Sequence, residues 1–466
     1  MRAPTTSRRG LAGRFTSAFS TGPLAVRDFR LLSLGQLAST VGDFCYAVAL
    51  PWLILSTHGG TILLGTVLAC YGVPRTVLIP VGGILADKLS PRKVMLAADS
   101  VRCVLVLVFA VFAARGLVSI PYLGPVAAVI GAGEGLFLPA SAAIMPSLLP
   151  ADSLQAGNGL SAAMIQVGSL VGPVLGGILV TWAGPAPAFG VDAASFAISA
   201  AALALMRGRR EPATTAAALD LADGGAAEGG AAASSATVDR AAEPAASPAA
   251  APGADAQEPS AWRFILGARI LQAIMIVAVL ANFVIAGAFE VALPALAHAR
   301  FGAAGYGALI ACFGAGSLAG TLVAAKLTGL KRPALAACGA FVIGAAAICL
   351  VPFLGGLPGA SAAALVFGAT GNFGNVIVIT MLQQWAPPHV LGRVMSIVML
   401  GAMGAFPASV ALSGIIVGHI GPAPFFPAAG AVLGVAVLLA ATIREFRDFG
   451  VPSELLADQA AVVAAK

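Results

Sequence analysis

The sequence predicts an all-α membrane protein, with twelve transmembrane helices arranged as two pseudo-symmetric six-helix bundles. Three observations predict it. Of 466 residues, 59% are hydrophobic and only 10% charged, with a mean hydropathy of +0.94, more apolar surface than a soluble core can take in. Apolar stretches near or above the roughly 20 residues needed to cross a bilayer recur twelve times along the chain. They fall into two groups of six, separated by a polar segment of different composition.

Residues 1–27 carry Arg2, Arg8, Arg9, Arg14 and Arg27 with no apolar run, which reads as a basic cytoplasmic tail and not a signal peptide. The first six spans are expected at about 28–57, 61–86, 93–114, 121–149, 154–182 and 187–206, giving an N-terminal bundle over 28–206. Residues 207–261, with AAEPAASPAAAPGADAQEP at 241–259, lack hydrophobic periodicity and read as a disordered cytoplasmic linker. The second six are expected at about 262–300, 305–328, 332–354, 358–386, 390–418 and 422–443, a C-terminal bundle over 262–443. A cytoplasmic tail, 444–466, ends the chain.

An even number of spans puts both termini on one side. If that side is cytoplasmic, the inner segments hold the N-terminal arginines, Lys88, Arg92, Lys93, Arg207, Arg209, Arg210, Lys326, Lys331, Arg332, Arg393, Arg444 and Arg447. The outer loops hold only Arg115 and Arg300, so the positive-inside rule gives cytoplasmic termini. The net charge of +6 is spread over these short loops and not massed on one face, which argues against a nucleic-acid partner. The six cysteines lie inside apolar segments without paired spacing and read as small buried hydrophobes.

The stretch Asn158–Thr181, NGLSAAMIQVGSLVGPVLGGILVT, carries Gly159, Gly168, Gly172, Pro173, Gly176 and Gly177. On a helix, Gly168, Gly172 and Gly176 stack into a bare stripe that another helix can approach closely. The two halves also echo each other. Gly65-Thr-Val-Leu-Ala-Cys-Tyr-Gly72 in span two matches Gly307-Ala-Leu-Ile-Ala-Cys-Phe-Gly314 in span eight, and Leu50-Pro51 matches Leu293-Pro294.

The glycine pattern of span five resembles the antiporter motif of the major facilitator superfamily, matched at every position. The loop Gly83-Ile-Leu-Ala-Asp87-Lys88-Leu-Ser-Pro-Arg92-Lys93 resembles the superfamily's cytoplasmic gating loop, departing from it in having Ser90-Pro91 where Gly-Arg is frequent. Fragments such as Gly42-Asp43, Pro74-Arg75, Asp99-Ser-Val-Arg102 and Asp192-Ala-Ala-Ser-Phe196 resemble the macrolide-efflux and siderophore-exporter branch. The resemblance implies a substrate cavity between two bundles that alternate access. It also implies that Asp87 latches the halves at the start of span eleven, near Leu391-Gly392-Arg393, where helix N-terminal N–H groups favour a carboxylate.

A charge at the bilayer centre costs about 2.5–3.5 kcal/mol even on lenient scales, so the few acids inside spans are the candidates for chemistry. Asp43 in span one, Glu134 in span four within Gly133-Glu-Gly135, and Glu290 in span seven are the proton-coupling candidates. A carboxyl group in a partly dry cavity exchanges protons near neutral pH and couples that exchange to binding a cationic or polar substrate. The rival reading is a permanent salt bridge, because Arg75 and Arg102 are intramembrane bases able to neutralise Asp43 or Glu134. Asp99 and Arg102 read as a local helix pair, and Asp192 as a cap at the outer end of span six. Under the resemblance, helices one, four, seven and ten line the cavity, with Phe44, Tyr46, Trp52, Phe137, Phe283, Phe289, Asn372, Phe373, Asn375, Gln383 and Gln384 as wall candidates.

Enzyme readings find little. No lysine precedes Ser or Thr, which removes a phosphate-binding P-loop, no GxSxG is present, and His58, His298, His389 and His419 lack metal-ligand spacing. The resemblance implies a secondary transporter in a bacterial inner membrane that exports a small amphipathic molecule (a drug, siderophore or secondary metabolite) by proton antiport as a monomer, with uptake or uniport by the same fold as the alternative. Such a transporter needs no cofactor or metal, only a proton gradient as its energy source.

Overall fold

The computed structural model describes residues 22–57, 59–207, 269–327, 330, 332–385 and 403–443, with positions 394, 398 and 401 besides. The two tails, the linker over 208–261 and the segment Leu391-Gly392-Arg393 expected to receive Asp87 lie outside the described residues. Every regular element among the described residues is helical.

The first half comprises α1 (Arg27–Ser56), α2 (Gly60–Leu89), α3 (Pro91–Arg115), α4 (Ile120–Leu148), α5 (Leu154–Ala183) and α6 (Pro185–Leu205). In the second half, α7 runs over Arg269–Gly287 and continues through a π-helical turn, Ala288–Ala292, into Leu293–Arg300. It is followed by α8 (Gly302–Lys326), α9 (Pro333–Leu350), α10 (Gly356–Trp385), α11 (Phe406–Ile420) and α12 (Pro422–Thr442). Eleven of these are long and apolar enough to cross a membrane, and α11 is the shorter twelfth. Most of the residues before α11 lie outside the described ones. Proline opens α3, α6, α9 and α12, where its missing N–H costs nothing.

Glycine sets how closely these helices approach. Gly131 and Gly135 of α4 lie on the carbonyls of Tyr71 and Arg75 in α2, and any side chain there would collide with that backbone. The second half repeats the arrangement, with Gly316 and Gly320 of α8 on the backbone of Leu365 and Ala369 in α10. The two matched octapeptides serve equivalent seams between the halves. Gly65 and Gly72 of α2 pack on Val410, Gly414 and Phe406 of α11, whereas Gly307 and Gly314 of α8 pack on Pro173, Gly177 and Ser169 of α5. At the ends of the seams away from the chain termini, Thr61 Oγ1 donates to Gly414 O at 3.0 Å and the Ala304 amide donates to Thr181 Oγ1 at 3.1 Å.

The bare stripe of α5 has a defined occupant. Gly168, Gly172 and Gly176 receive Thr40, Phe44 and Cys45 of α1, while Gly177 faces Ala303 and Ala304 of α8. Cys45 Sγ donates to Gly172 O at 3.2 Å along the same seam. Gly159 meets open space. α5 thus backs the turn of α1 that carries Asp43 and also touches the other half.

Candidate functional site

Two arginines organise the interior of the first half. Arg75 on α2 reaches Glu134 on α4, with Nη2 3.1 Å from Oε1, and Tyr71, one turn before Arg75, donates its hydroxyl to Glu134 Oε2. Arg102 on α3 donates from Nη2 to Asp43 Oδ1 on α1 at 2.9 Å and lies 3.8 Å from Asp99 Oδ1 on its own helix. The Arg102 guanidinium also lies 4.1 Å from the ring centroid of Phe196, a cation–π contact. Gly133 admits the Arg102 stem as Gly135 admits the Arg75 backbone, so both glycines beside Glu134 are occupied by arginine-bearing helices.

The acids differ in exposure. Asp99 is fully buried and accepts from Ser199 Oγ of α6 at 2.6 Å, whereas the Asp43 side chain keeps 44% of its surface accessible. Asp192 departs from its expected role as an outer cap: it lies two turns inside α6, 1% exposed, and Gly184 is the residue before that helix. There it faces Asp43, Arg102 and Asp99 electrostatically, and Gly42 of α1 makes room for it. The local pair Asp99–Arg102 is real but looser than the contact of Arg102 with Asp43. Sequence spacing gave no sign of this three-acid cluster, because its members come from α1, α3 and α6.

Glu290 sits within the π-helical turn of α7, just before Pro294, whose absent N–H cannot continue the α-helical ladder. It lines a cavity of about 300 Å³ together with Phe44, Asn282, Phe289, Tyr306 and Phe313, so both halves contribute walls. Arg75 is the base within electrostatic reach of Glu290, which puts one guanidinium under the influence of carboxylates from both halves. A second cavity of about 310 Å³ lies inside the C-terminal bundle and is lined by Asn282, Asn372 and Asn375 among apolar side chains.

The other wall candidates scatter. Tyr46 packs between Phe109 and Phe189 inside the first half, Phe137 lies beside Arg102, and Trp52 meets His298 at a tilted angle, ring centroids 4.8 Å apart. The Phe283 carbonyl accepts from Ser409, Phe373 packs against the core, and Gln383 and Gln384 are exposed near the end of α10.

The expected gating loop is almost wholly helical, with Gly83, Asp87 and Lys88 in the last turns of α2, Ser90 alone between the helices, and Arg92 and Lys93 in the first turn of α3. Gly83 meets open space and Asp87, Lys88 and Lys93 are exposed. Arg92 turns inward: its Nε donates to Leu203 O at 2.7 Å and its Nη2 to Ala204 O at 2.8 Å, capping the C-terminus of α6. Ser90 adopts φ +84°, a left-handed backbone that favours glycine, where the loop departs from the superfamily pattern.

Among the described residues, twelve apolar helices in two halves, joined by glycine seams around a shared cavity, define the class of multi-pass membrane carriers. The sequence profile described as Major Facilitator Superfamily matches residues 32–377, and the chain belongs to that superfamily. Among relatives, the multidrug efflux pump Tap of Mycobacterium tuberculosis is 28% identical over 188 residues, which cover 38% of this chain and 43% of Tap. The chain therefore spans less than half the length of that pump. The enterobactin exporter EntS of Salmonella typhimurium is 26% identical over 375 residues, covering 78% of this chain and 80% of EntS. A solved D-xylose–proton symporter superimposes with a TM-score of 0.64 over 91% of this chain and 98% of its own at 14% identity, a likeness of fold alone.

Proposed function

We propose that this protein is a secondary active exporter that moves a small amphipathic compound, such as a drug, siderophore or secondary metabolite, out of a bacterial cytoplasm in exchange for protons. The observation that carries this reading is Arg75, ion-paired with Glu134 of one half at 3.1 Å and acting electrostatically on Glu290, which lines a cavity shared by both halves. A proton arriving at Glu134 removes its charge and frees Arg75 to turn toward Glu290. A cationic or polar substrate beside Glu290 competes for the same carboxylate. Proton and substrate thereby exclude one another, which is the requirement of antiport.

The remaining acids suit the same task. Among the described residues of the first half's interior, four acids (Asp43, Asp99, Glu134 and Asp192) face two bases (Arg75 and Arg102), so the cluster has room to take up and release protons without stranding a buried base. Export is supported by the names of the relatives Tap and EntS. Both termini are placed in the cytoplasm by the positive-inside reading, and in that orientation the closed seams at Thr61–Gly414 and Thr181–Ala304 seal the outer side. The carrier works as a monomer in the inner membrane.

The test is flux in proteoliposomes under an imposed pH gradient, with a lipophilic cation, a macrolide and a siderophore added in turn. The proposal expects at least one of these to drive protons in the direction opposite to itself. Movement of compound and protons in the same direction would replace export by uptake, and silence across the panel with folded protein would remove proton-coupled transport of these classes.

A further inference from the structure

We propose that the amide-lined cavity of the C-terminal bundle is a ligand subsite entered sideways from the bilayer, between α7 and α12. Three hollows lie in series. An open, almost wholly apolar groove of about 510 Å³ runs between Ile276, Leu280, Val435 and Leu439 on the lipid-facing surfaces of α7 and α12. Val277 and Ala440 line both this groove and the inner cavity of about 310 Å³, so one layer of side chains separates them. Asn282, Ile285 and Phe313 in turn line both the inner cavity and the central cavity that holds Glu290. Lipid, amide-lined cavity and central acid are therefore consecutive compartments, each sharing a wall with the next.

The chemistry changes in step. The groove is lined by apolar side chains, the natural surface for a molecule dissolved in acyl chains. The inner cavity adds Asn282, Asn372 and Asn375 among Phe313, Phe341 and Phe367. A side-chain amide both donates and accepts hydrogen bonds and carries no charge, so the subsite fits an uncharged body bearing carbonyl, amide or hydroxyl groups on an apolar frame. The charged end of such a molecule finds its partner only at Glu290. The route thus leads an amphipathic compound from the acyl chains to Glu290 through consecutive compartments, its charged end at Glu290 and its apolar frame in the amide-lined cavity behind it. With cytoplasmic termini, Val277 and Ala440 sit in the inner leaflet, where a compound made in the cytoplasm partitions. The ligand class rests on the exporter reading, but the path itself does not.

Cys338 lines the inner cavity and is one of six free cysteines, which makes the path testable without transport. An N-alkylmaleimide, itself an apolar tail with two imide carbonyls, is the probe. It is dissolved in proteoliposome membranes holding the full chain with the five other cysteines replaced by alanine. The reference is Val435→Cys in a background without Cys338, at a position 55% exposed on the lipid face. The proposal expects the alkylmaleimide to label Cys338, a sulfonated maleimide to leave it untouched from either side, and Val277→Trp or Ala440→Phe to slow the labelling at least about tenfold while Val435→Cys reacts as before. Either plug alone suffices if the other fails to fold. An unreactive Cys338 beside a reactive Val435→Cys, labelling unaffected by the plugs, or equally fast reaction with the sulfonated reagent would overturn it. Loss of proton-coupled flux with this labelling pattern intact would sink the exporter reading and leave the path.

Discussion

Glu134 is flanked by glycines because two arginine-bearing helices press on it from either side, Arg75 over Gly135 and Arg102 over Gly133. The acids and bases themselves were legible in the sequence as rare charges inside apolar spans. Their pairing was not, since Arg102 meets Asp43 and Asp99 meets Ser199 across helices, and no local spacing encodes that. The exposures make a prediction. Arg102→Met leaves the fully buried Asp99 without its base and should cost about 3–5 kcal/mol, while Asp43→Asn, at a half-open side chain, should cost far less. Thermal unfolding in detergent reads the order, and equal losses would contradict it. Ser90 is a second case, because its positive φ stores strain that glycine does not feel. Ser90→Gly should stabilise the protein by about 1 kcal/mol, a small rise in unfolding temperature, and a fall would show that the Ser90 side chain matters more than its backbone.

Among the elements, α5 is where sequence and structure agree most closely in kind. The spacing of Gly168, Gly172 and Gly176 announced a bare stripe, but only packing reveals that α1 fills it and that Gly177 turns to α8. The matched octapeptides were visible as a repeat, yet their common task at the seams α2/α11 and α5/α8 depends on where the helices cross. Arg92 went unread as a cap on α6, since a basic residue in a cytoplasmic loop already satisfies the positive-inside rule. Gly307→Val places a branched side chain against the Pro173 carbonyl and should wedge the α5/α8 seam apart. The expected outcome is a folded protein with transport reduced at least about tenfold, read by flux per mole of folded carrier. Undiminished flux would show that the seam need not close.

For the whole molecule, apolar composition and the number of spans made the class legible, because the bilayer allows so few solutions. The cavities were less so: Phe44 and Phe289 do line the central one, but Gln383 and Gln384 lie exposed, since membership of a wall depends on helix rotation as much as on residue type. Asp87 is exposed at the end of α2, and if it latches the halves Asp87→Asn should slow interconversion of the two access states while leaving substrate affinity nearly unchanged. Lost affinity with unchanged exchange kinetics would count against the latch. The central claim is that protons and substrate compete through Glu134 and Arg75. Its most direct measurement is proton counterflow in proteoliposomes, for whichever compound the wild type moves, repeated with Glu134→Gln. The account predicts that the variant stays folded but no longer couples the compound to the pH gradient. Gradient-driven transport that survives the substitution would take Glu134 out of the mechanism and leave its pair with Arg75 as a structural salt bridge.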